Sequence, residues 1–209
     1  MGDARGVTSG QPEGVRARGQ TRPARTFWWD RQPTVEAHDL RAVIFDADSA
    51  LADSEVGGDI AARNGLVDSV MSLFCAGIWV GVVSTRRRQW VETLVRQLVG
   101  DGLVETIVTV DDLPDARLDD DVELYRLALW ELGITPQGAL AVTGSRCGLR
   151  AAVAAELPAV VLAPGLTAPE QFVGAAEIRA GYDGPDPLLA AGCQRAHRRW
   201  SIRQRSRAA

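Results

Sequence analysis

The chain has 209 residues, of which 46% are hydrophobic, and a formal net charge of −4. This length suits one domain of roughly 150 residues with tails, and the composition is that of a globular protein rather than a disordered or fibrous one. Apolar runs stay shorter than the roughly 18 residues of a membrane span, and the N-terminus lacks the apolar segment of a secretory signal.

Three widely spaced cysteines, Cys75, Cys147 and Cys193, carry no C-x-x-C pattern. So sparse and odd a set argues against a disulfide framework and against a zinc site. We therefore expect three buried thiols and a reducing compartment, the cytoplasm.

The charges are unevenly distributed along the chain. All 23 basic residues are arginine, and residues 42–194 hold 10 of them against 22 acidic residues. So acidic a core does not suit the binding of nucleic acid. The segment 194–209 holds six arginines and no acid, which predicts a solvated basic tail after a domain that spans 39–193. Contact of this tail with RNA, with acidic lipid or with the acidic surface of the domain itself is the alternative.

Residues 1–38 are rich in Gly, Arg, Gln, Thr and Pro and have no sustained hydrophobic period. This composition predicts a disordered N-terminal tail. The cluster Phe27-Trp28-Trp29 is the exception and has the character of a docking segment for the domain or for a partner protein.

Beyond residue 38, short apolar runs alternate with segments of helical period, and glycines follow several of the helical segments. The predicted strands are 41–45, 78–83, 106–110, 139–142 and 160–163. The predicted helices are 64–76, 86–99, 120–132, 145–156, 167–178 and 188–200.

This alternation, with nearly continuous apolar strands, predicts parallel pairing and helices on both faces of the sheet. The fold class is then α/β, a three-layer, doubly wound parallel sheet. Ligands bind such sheets at the carboxyl ends of the strands. Here those ends carry Asp46, Ser84, Asp111, Thr143 and Pro164.

The strongest motif is Val-Ile-Phe-Asp-Ala-Asp-Ser-Ala-Leu-Ala-Asp-Ser-Glu over residues 43–55, in which Asp46 and Asp48 follow a buried strand. One carboxylate of such a pair can act as a nucleophile while the other transfers a proton. Together the two also form a hard oxygen site suited to Mg²⁺.

This run resembles motif I of the haloacid dehalogenase-like hydrolases, hhhhDxDGTLxDSE, in the branch that includes β-phosphoglucomutase and phosphoglycolate phosphatase. The resemblance makes Asp46 the nucleophile that forms an aspartyl-phosphate and Asp48 the general acid and base, with both carboxylates on Mg²⁺. Ser49 and Ala50 stand where the family has Gly and Thr.

Ser84 and Thr85, at the end of the second strand, resemble motif II, in which a hydroxyl and backbone N–H groups at a helix start hold the phosphate. Motif III is degraded, because Asp119 stands where the family has a lysine and the chain contains no lysine. Arg117 is the nearby cation and the candidate third phosphate contact, although its planar fork does not replace an ammonium.

Motif IV is also degraded. Thr143 and Gly144 stand in place of the two acids that bind the metal, while Ser145 and Gly148 match the family pattern. Mg²⁺ binding by Asp46 and Asp48 alone is expected to be weak. An acid after the third strand, at 111, 112 or 115, is a candidate substitute ligand.

The spacing also bears on substrate binding. Only 37 residues lie between Asp46 and Ser84, which is too few for the helical cap that this branch carries between motifs I and II. We therefore expect the cap to be absent or vestigial and the site to be open.

The sequence leaves three hypotheses about function. The first is a haloacid dehalogenase-like protein with little or no phosphatase turnover that acts by binding, including binding to a protein partner. The second is an active Mg²⁺-dependent phosphomonoester hydrolase for a small phosphorylated metabolite, with an aspartyl-phosphate on Asp46. The third is a receiver-like regulatory domain, which would need a lysine after the fifth strand.

Overall fold

The computed structural model describes residues 39–52, 60–100, 102–113, 120–165 and 169–208. The predictions for the tail 1–38, with its cluster Phe27-Trp28-Trp29, lie outside these residues. So do those for Arg117 and Asp119.

The described residues form one six-stranded sheet whose strands all run parallel. The strand order is β3-β2-β1-β4-β5-β6, so the first strand lies inside the sheet with β2 and β4 as neighbours. This order differs from the 2-1-3-4-5 order of receiver domains, and it gives the receiver hypothesis no support. The strands are β1 (Ala42–Asp46), β2 (Trp79–Ser84), β3 (Thr106–Thr109), β4 (Ala139–Thr143), β5 (Ala159–Leu162) and β6 (Glu177–Arg179).

Helices cover both faces of the sheet, as predicted for a doubly wound α/β fold. The helices are α1 (Leu66–Cys75), α2 (Arg88–Leu98), α3 (Asp120–Leu132), α4 (Arg146–Ala154) and α5 (Ala190–Ala208). Strand β1 shows why two layers are needed, because all five of its residues are buried. Val43 and Phe45 pack in the cluster that contains residues of α1, α2 and α5, while Ala42 and Ile44 pack in the cluster of α3 and α4.

The prediction of a helix over 167–178 is wrong. A short 3₁₀ turn, Pro169–Phe172, leads instead into β6. The open edge of β5 explains this outcome, because its unpaired backbone groups need partners. Ala176 N–H donates to the Ala159 carbonyl, and Ala163 N–H donates to the Arg179 carbonyl.

Helix α5 continues to Ala208, past the boundary at 194 where the sequence analysis places the start of a solvated tail. Ala196 and His197 are fully buried, and the His197 ring nitrogen Nε2 lies 2.7 Å from the Gln137 carbonyl oxygen. Two arginines of this helix pair with acids of the domain, Arg195 with Asp186 and Arg199 with Glu177. Packing and charge together therefore keep the basic segment helical.

The connection from β1 to α1 is short, in agreement with the predicted loss of the cap. A single π-helical turn, Ala47–Leu51, follows β1. An antiparallel bridge between Ala52 and Ala62 then brings the chain back beside itself shortly before α1 begins. The described residues between β1 and α1 contain no helical bundle.

Two remaining predictions concern the burial of the cysteines and the presence of a membrane span. Cys193 is buried as expected, but Cys75 and Cys147 are exposed. Cys75 is the last residue of α1, and Cys147 lies in the first turn of α4. None of the helices in the described ranges is long and apolar enough to cross a membrane.

Candidate active site

The candidate site lies where the strand order brings three polar strand ends together. Asp46 ends β1, and its neighbours β2 and β4 end at Ser84 and Thr143. A cavity of about 150 Å³ opens there, with Asp46, Asp48, Ser84, Asp121 and Tyr125 in its wall. The predicted meeting of Asp46, Asp48 and the motif II hydroxyl is therefore observed.

Asp46 is buried, with 8% of its surface exposed, and three donors of the chain converge on its carboxylate. Oδ1 accepts from Asp48 N–H at 3.0 Å. Oδ2 accepts from the Ser49 hydroxyl at 2.6 Å and from the Thr143 hydroxyl at 2.8 Å. Burial raises the pKa of Asp46 above its usual value, and these two hydroxyls oppose that rise only in part.

Three positions that depart from the family pattern, Ser49, Thr143 and Gly144, contact one another. The Ser49 hydroxyl accepts from Gly144 N–H at 2.8 Å, and the Ser49 and Thr143 oxygens lie 3.2 Å apart. Each hydroxyl has one proton and donates it to Asp46. This last contact is therefore a close approach and not a further hydrogen bond. The departures therefore form one local network around Asp46.

Two glycines allow this close packing. A Cβ atom at Gly144 would lie 2.2 Å from the Ser49 carbonyl oxygen, and one at Gly148 would lie 2.5 Å from Asp46 Oδ2. Both distances are far below a van der Waals contact. Glycine at these positions lets the start of α4 approach the π-helical turn and the carboxylate.

Asp48 is the more exposed carboxylate, and it occupies the donors of motif II. The Ser84 hydroxyl donates to Asp48 Oδ1 at 2.8 Å. The N–H and the hydroxyl of Thr85 both donate to Asp48 Oδ2, each at 2.8 Å. The groups predicted to hold a phosphate therefore hold a carboxylate of the chain itself.

The sequence analysis missed the cation at this position. Arg86 Nε lies 3.5 Å from Asp48 Oδ1, and the guanidinium stacks 4.4 Å from the centroid of the Trp90 ring. The available signal was the position of the run Arg86-Arg87-Arg88, which directly follows Ser84 and Thr85 of motif II at the end of β2.

The candidate substitute ligands after β3 serve another purpose. Asp112 Oδ2 accepts from Arg88 Nη2 at 2.7 Å, and this guanidinium lowers the pKa of Asp112. Asp111 accepts from Arg88 N–H at 2.9 Å. These two acids anchor the start of α2, and residue 115 lies outside the described residues.

Asp121 and Tyr125 of α3 also line the cavity and were not predicted as site residues. The Tyr125 hydroxyl is buried and has no hydrogen-bond partner among the described residues. Burial raises its pKa well above the usual value, and the charges of Asp46, Asp121 and Asp48 add to that rise.

The residues at this site do not suit Mg²⁺. No group of three or more His, Cys, Asp or Glu side chains with metal-binding geometry occurs within the described residues. All four carboxylate oxygens of Asp46 and Asp48 already accept hydrogen bonds from the protein. Mg²⁺ needs several well-placed oxygens in an octahedral arrangement, and this site offers few that are not already engaged.

Known proteins similar to this chain include CbbY proteins. Protein CbbY of Cereibacter sphaeroides is 36% identical over 121 residues, which cover 56% of this chain and 52% of the relative. A CBBY-like protein of Arabidopsis thaliana is 32% identical over 113 residues, which cover 54% of this chain and 35% of the relative. The chain thus spans about half the length of these curated relatives or less. No protein-family model matches the sequence.

Solved structures with the same fold include a CbbY protein and a β-phosphoglucomutase. CbbY from Rhodobacter sphaeroides in complex with phosphate matches with a TM-score of 0.62 and 22% identity, over 74% of this chain and 99% of that chain. β-Phosphoglucomutase from Clostridium difficile matches with a TM-score of 0.61 and 11% identity, over 78% of this chain and 99% of that chain. The chain thus has the fold of the haloacid dehalogenase-like hydrolases, and its sequence is similar to CbbY proteins over about half of its length.

Proposed function

We propose that this protein has little or no Mg²⁺-dependent phosphatase turnover and acts as a binding protein built on a hydrolase fold. One observation carries the proposal: side chains of the protein itself already donate hydrogen bonds to both carboxylates of the site. Ser49 and Thr143 donate to Asp46, while Ser84 and Thr85 donate to Asp48.

The charge around the cavity supports this proposal. Asp46 and Asp48 line it, and Arg86, whose Nε lies 3.5 Å from Asp48 Oδ1, is itself 57% exposed. Two like charges at 4 Å repel by roughly 4 kcal/mol at the effective dielectric of a protein surface. A phosphate dianion therefore meets net repulsion unless further positive charge is supplied.

The expected loss of rate is large. Phosphoryl transfer depends mainly on electrostatic stabilisation of the charge on the transferring group. Removing one preorganised contributor costs roughly 10²–10³-fold in rate. With neither the lysine of motif III nor the acids of motif IV in the sequence, we expect a loss on the order of 10⁴-fold or more, allowing for non-additivity.

The test is hydrolysis of p-nitrophenyl phosphate in the presence of Mg²⁺ by wild type and by Asp46→Asn. We expect equal rates, both close to the rate without protein. A wild-type rate far above that of the variant would overturn the proposal, because only a nucleophilic Asp46 explains such a difference. Asp68→Asn, at an exposed position of α1, is the matched control.

The CbbY likeness favours a second candidate, an active phosphomonoester hydrolase for a small phosphorylated metabolite. A CbbY mutant of Rhodobacter sphaeroides binds xylulose-(1,5)bisphosphate. In this chain Asp46 would attack phosphorus to form an aspartyl-phosphate as the phosphorus–oxygen bond to the substrate alcohol breaks. Asp48 would protonate that leaving oxygen and then take a proton from the water that releases phosphate, with Ser84, Thr85 and Arg117 on the phosphate. This reaction would also need Mg²⁺ at Asp46 and Asp48, whose four carboxylate oxygens already accept hydrogen bonds from the protein.

This alternative requires Asp48 to leave Ser84 and Thr85 before substrate binds. Release of inorganic phosphate from xylulose-(1,5)bisphosphate, abolished by Asp46→Asn, would establish it. The absence of release under conditions in which CbbY is active would exclude this substrate.

We propose a cytoplasmic location, because Cys75 and Cys147 are exposed thiols and a reducing compartment keeps such thiols free. A protein partner is the natural ligand of a fold that has lost turnover, and the predicted tail 1–38 with its aromatic cluster is the segment most suited to docking.

A further inference from the structure

We propose that the hydroxyls of Ser49 and Thr143 take the place of a divalent cation at Asp46, so that this site closes without metal. A cation in such a site holds the loop after β1 against the loop after β4. Here two hydroxyls make that connection: the Ser49 hydroxyl accepts from Gly144 N–H across 95 residues, and the Thr143 hydroxyl donates to Asp46 across 97. The inference concerns the same site as the proposed function but does not depend on turnover.

Each of the two hydroxyls at Asp46 donates one hydrogen bond and accepts another. Each donates its single proton to Asp46 Oδ2, at 2.6 Å from Ser49 and 2.8 Å from Thr143. The Ser49 oxygen accepts from Gly144 N–H at 2.8 Å, and the Thr143 oxygen accepts from Ser145 N–H at 3.1 Å. A neutral network thus satisfies the side of the carboxylate that faces β4.

The backbone at Gly144 packs directly against the backbone at Ser49. A Cβ atom at Gly144 would lie 2.2 Å from the Ser49 carbonyl oxygen, so an acid at that position does not fit while the π-helical turn stays in place. Position 143 has no such restriction, because Thr143 already carries a side chain that points at Asp46. The local packing therefore excludes an acid at position 144 but not at position 143.

This geometry predicts that one substitution makes the site depend on a cation. Thr143→Asp places a second carboxylate beside Asp46 Oδ2, where the two negative charges repel unless a divalent cation lies between them. Thr143→Asn has the same shape as Asp but no charge, so it loses the hydroxyl bond without gaining a cation site.

The experiment measures the melting temperature of the full chain in EDTA and in about 10 mM MgCl₂, with NaCl added to match ionic strength. We expect Mg²⁺ to leave wild type and Thr143→Asn within about 1 °C of their values in EDTA. We expect it to raise the melting temperature of Thr143→Asp by about 5 °C, since a ligand that binds only the folded state stabilises it by mass action.

Two outcomes would overturn the inference. One is a Mg²⁺-dependent rise in wild type that Asp46→Asn abolishes. The other is a response of Thr143→Asp no larger than that of Thr143→Asn. If Thr143→Asp does not fold, the double variant Ser49→Gly/Thr143→Asp, which restores the glycine of the family pattern, takes its place, and the wild-type arm decides in any case. Turnover that persists in EDTA would overturn the proposed function and leave this inference intact.

Discussion

Asp46 illustrates how one residue can keep its position in a site while its surroundings change. It lies at the end of a fully buried strand, and three donors from the chain surround its carboxylate. Burial still outweighs those donors and raises its pKa. The carboxylate is thus more costly to ionise in the folded state than in the unfolded chain.

The pH dependence of stability follows from this shift. The folded protein binds the Asp46 proton more tightly than the unfolded chain, whose value is near 3.8. The contribution of Asp46 to the free energy of unfolding is therefore fully present below that pH and is lost as pH rises through the folded pKa. Urea denaturation between about pH 4 and pH 7 should show a steeper decline for wild type than for Asp46→Asn, with exposed Asp68→Asn as the control. Parallel profiles would contradict the raised pKa.

Two buried tyrosines give a matched pair of substitutions with different expected effects. The Tyr182 hydroxyl donates to the Ala50 carbonyl at 2.9 Å, whereas the Tyr125 hydroxyl has no partner among the described residues. Tyr182→Phe leaves a buried carbonyl unsatisfied and should lower the free energy of unfolding by about 1–3 kcal/mol. Tyr125→Phe removes an unsatisfied group and should be neutral or stabilising in the same urea titration. A loss for Tyr125→Phe as large as for Tyr182→Phe would mean that its hydroxyl has a partner.

Helices α1 and α5 are far apart in sequence, yet hydrogen bonds join them at the start of α5. The Ser69 hydroxyl donates to the Leu188 carbonyl at 2.6 Å. The Ser72 hydroxyl accepts from Ala190 N–H at 2.9 Å. Ser72 thereby satisfies one of the backbone N–H groups that every helix leaves unpaired in its first turn.

Ser72→Ala should therefore destabilise the protein as the loss of a helix cap does, by about 1 kcal/mol in the free energy of unfolding. The matched control is Ser206→Ala, because the exposed Ser206 hydroxyl bonds only to the Ile202 carbonyl of its own helix. Chemical denaturation of the two variants checks this. Equal stabilities would show that α5 does not need the contact with Ser72.

At the scale of the whole molecule, α5 is a packed part of the domain and not a solvated tail. Ala196 and His197 are fully buried, and Arg203 Nη2 donates to the Ala176 carbonyl next to β6 at 2.5 Å. The helix therefore supports one face of the sheet and its edge strand together.

Removing residues 195–209 should cost on the order of 3 kcal/mol, because it leaves a cavity where Ala196 and His197 pack. For a chain of this size that corresponds to a fall of about 6–12 °C in melting temperature. Removal of 206–209 alone keeps Arg203 and should leave the melting temperature nearly unchanged. Equal melting temperatures for the two truncated chains would mean that the basic segment carries no packing energy.

Much of the fold was predictable because its signals are local. The apolar period located β1 to β5 and the helices α1 to α4 within about two residues. Strand β6 was missed because it has only three residues and forms by pairing with β5. No local period identifies so short an edge strand.

The sequence by itself determined the succession of strands and helices along the chain, the parallel sheet and the acids that end its first strand. These features depend on the hydrophobic period and on capping residues, which act over a few neighbouring positions. Only the tertiary structure decided what those acids do. Thr143 reaches Asp46 across 97 residues, and Ser84 reaches Asp48 across 36. Contacts between residues so distant in the chain depend on how the loops pack, which no local pattern encodes.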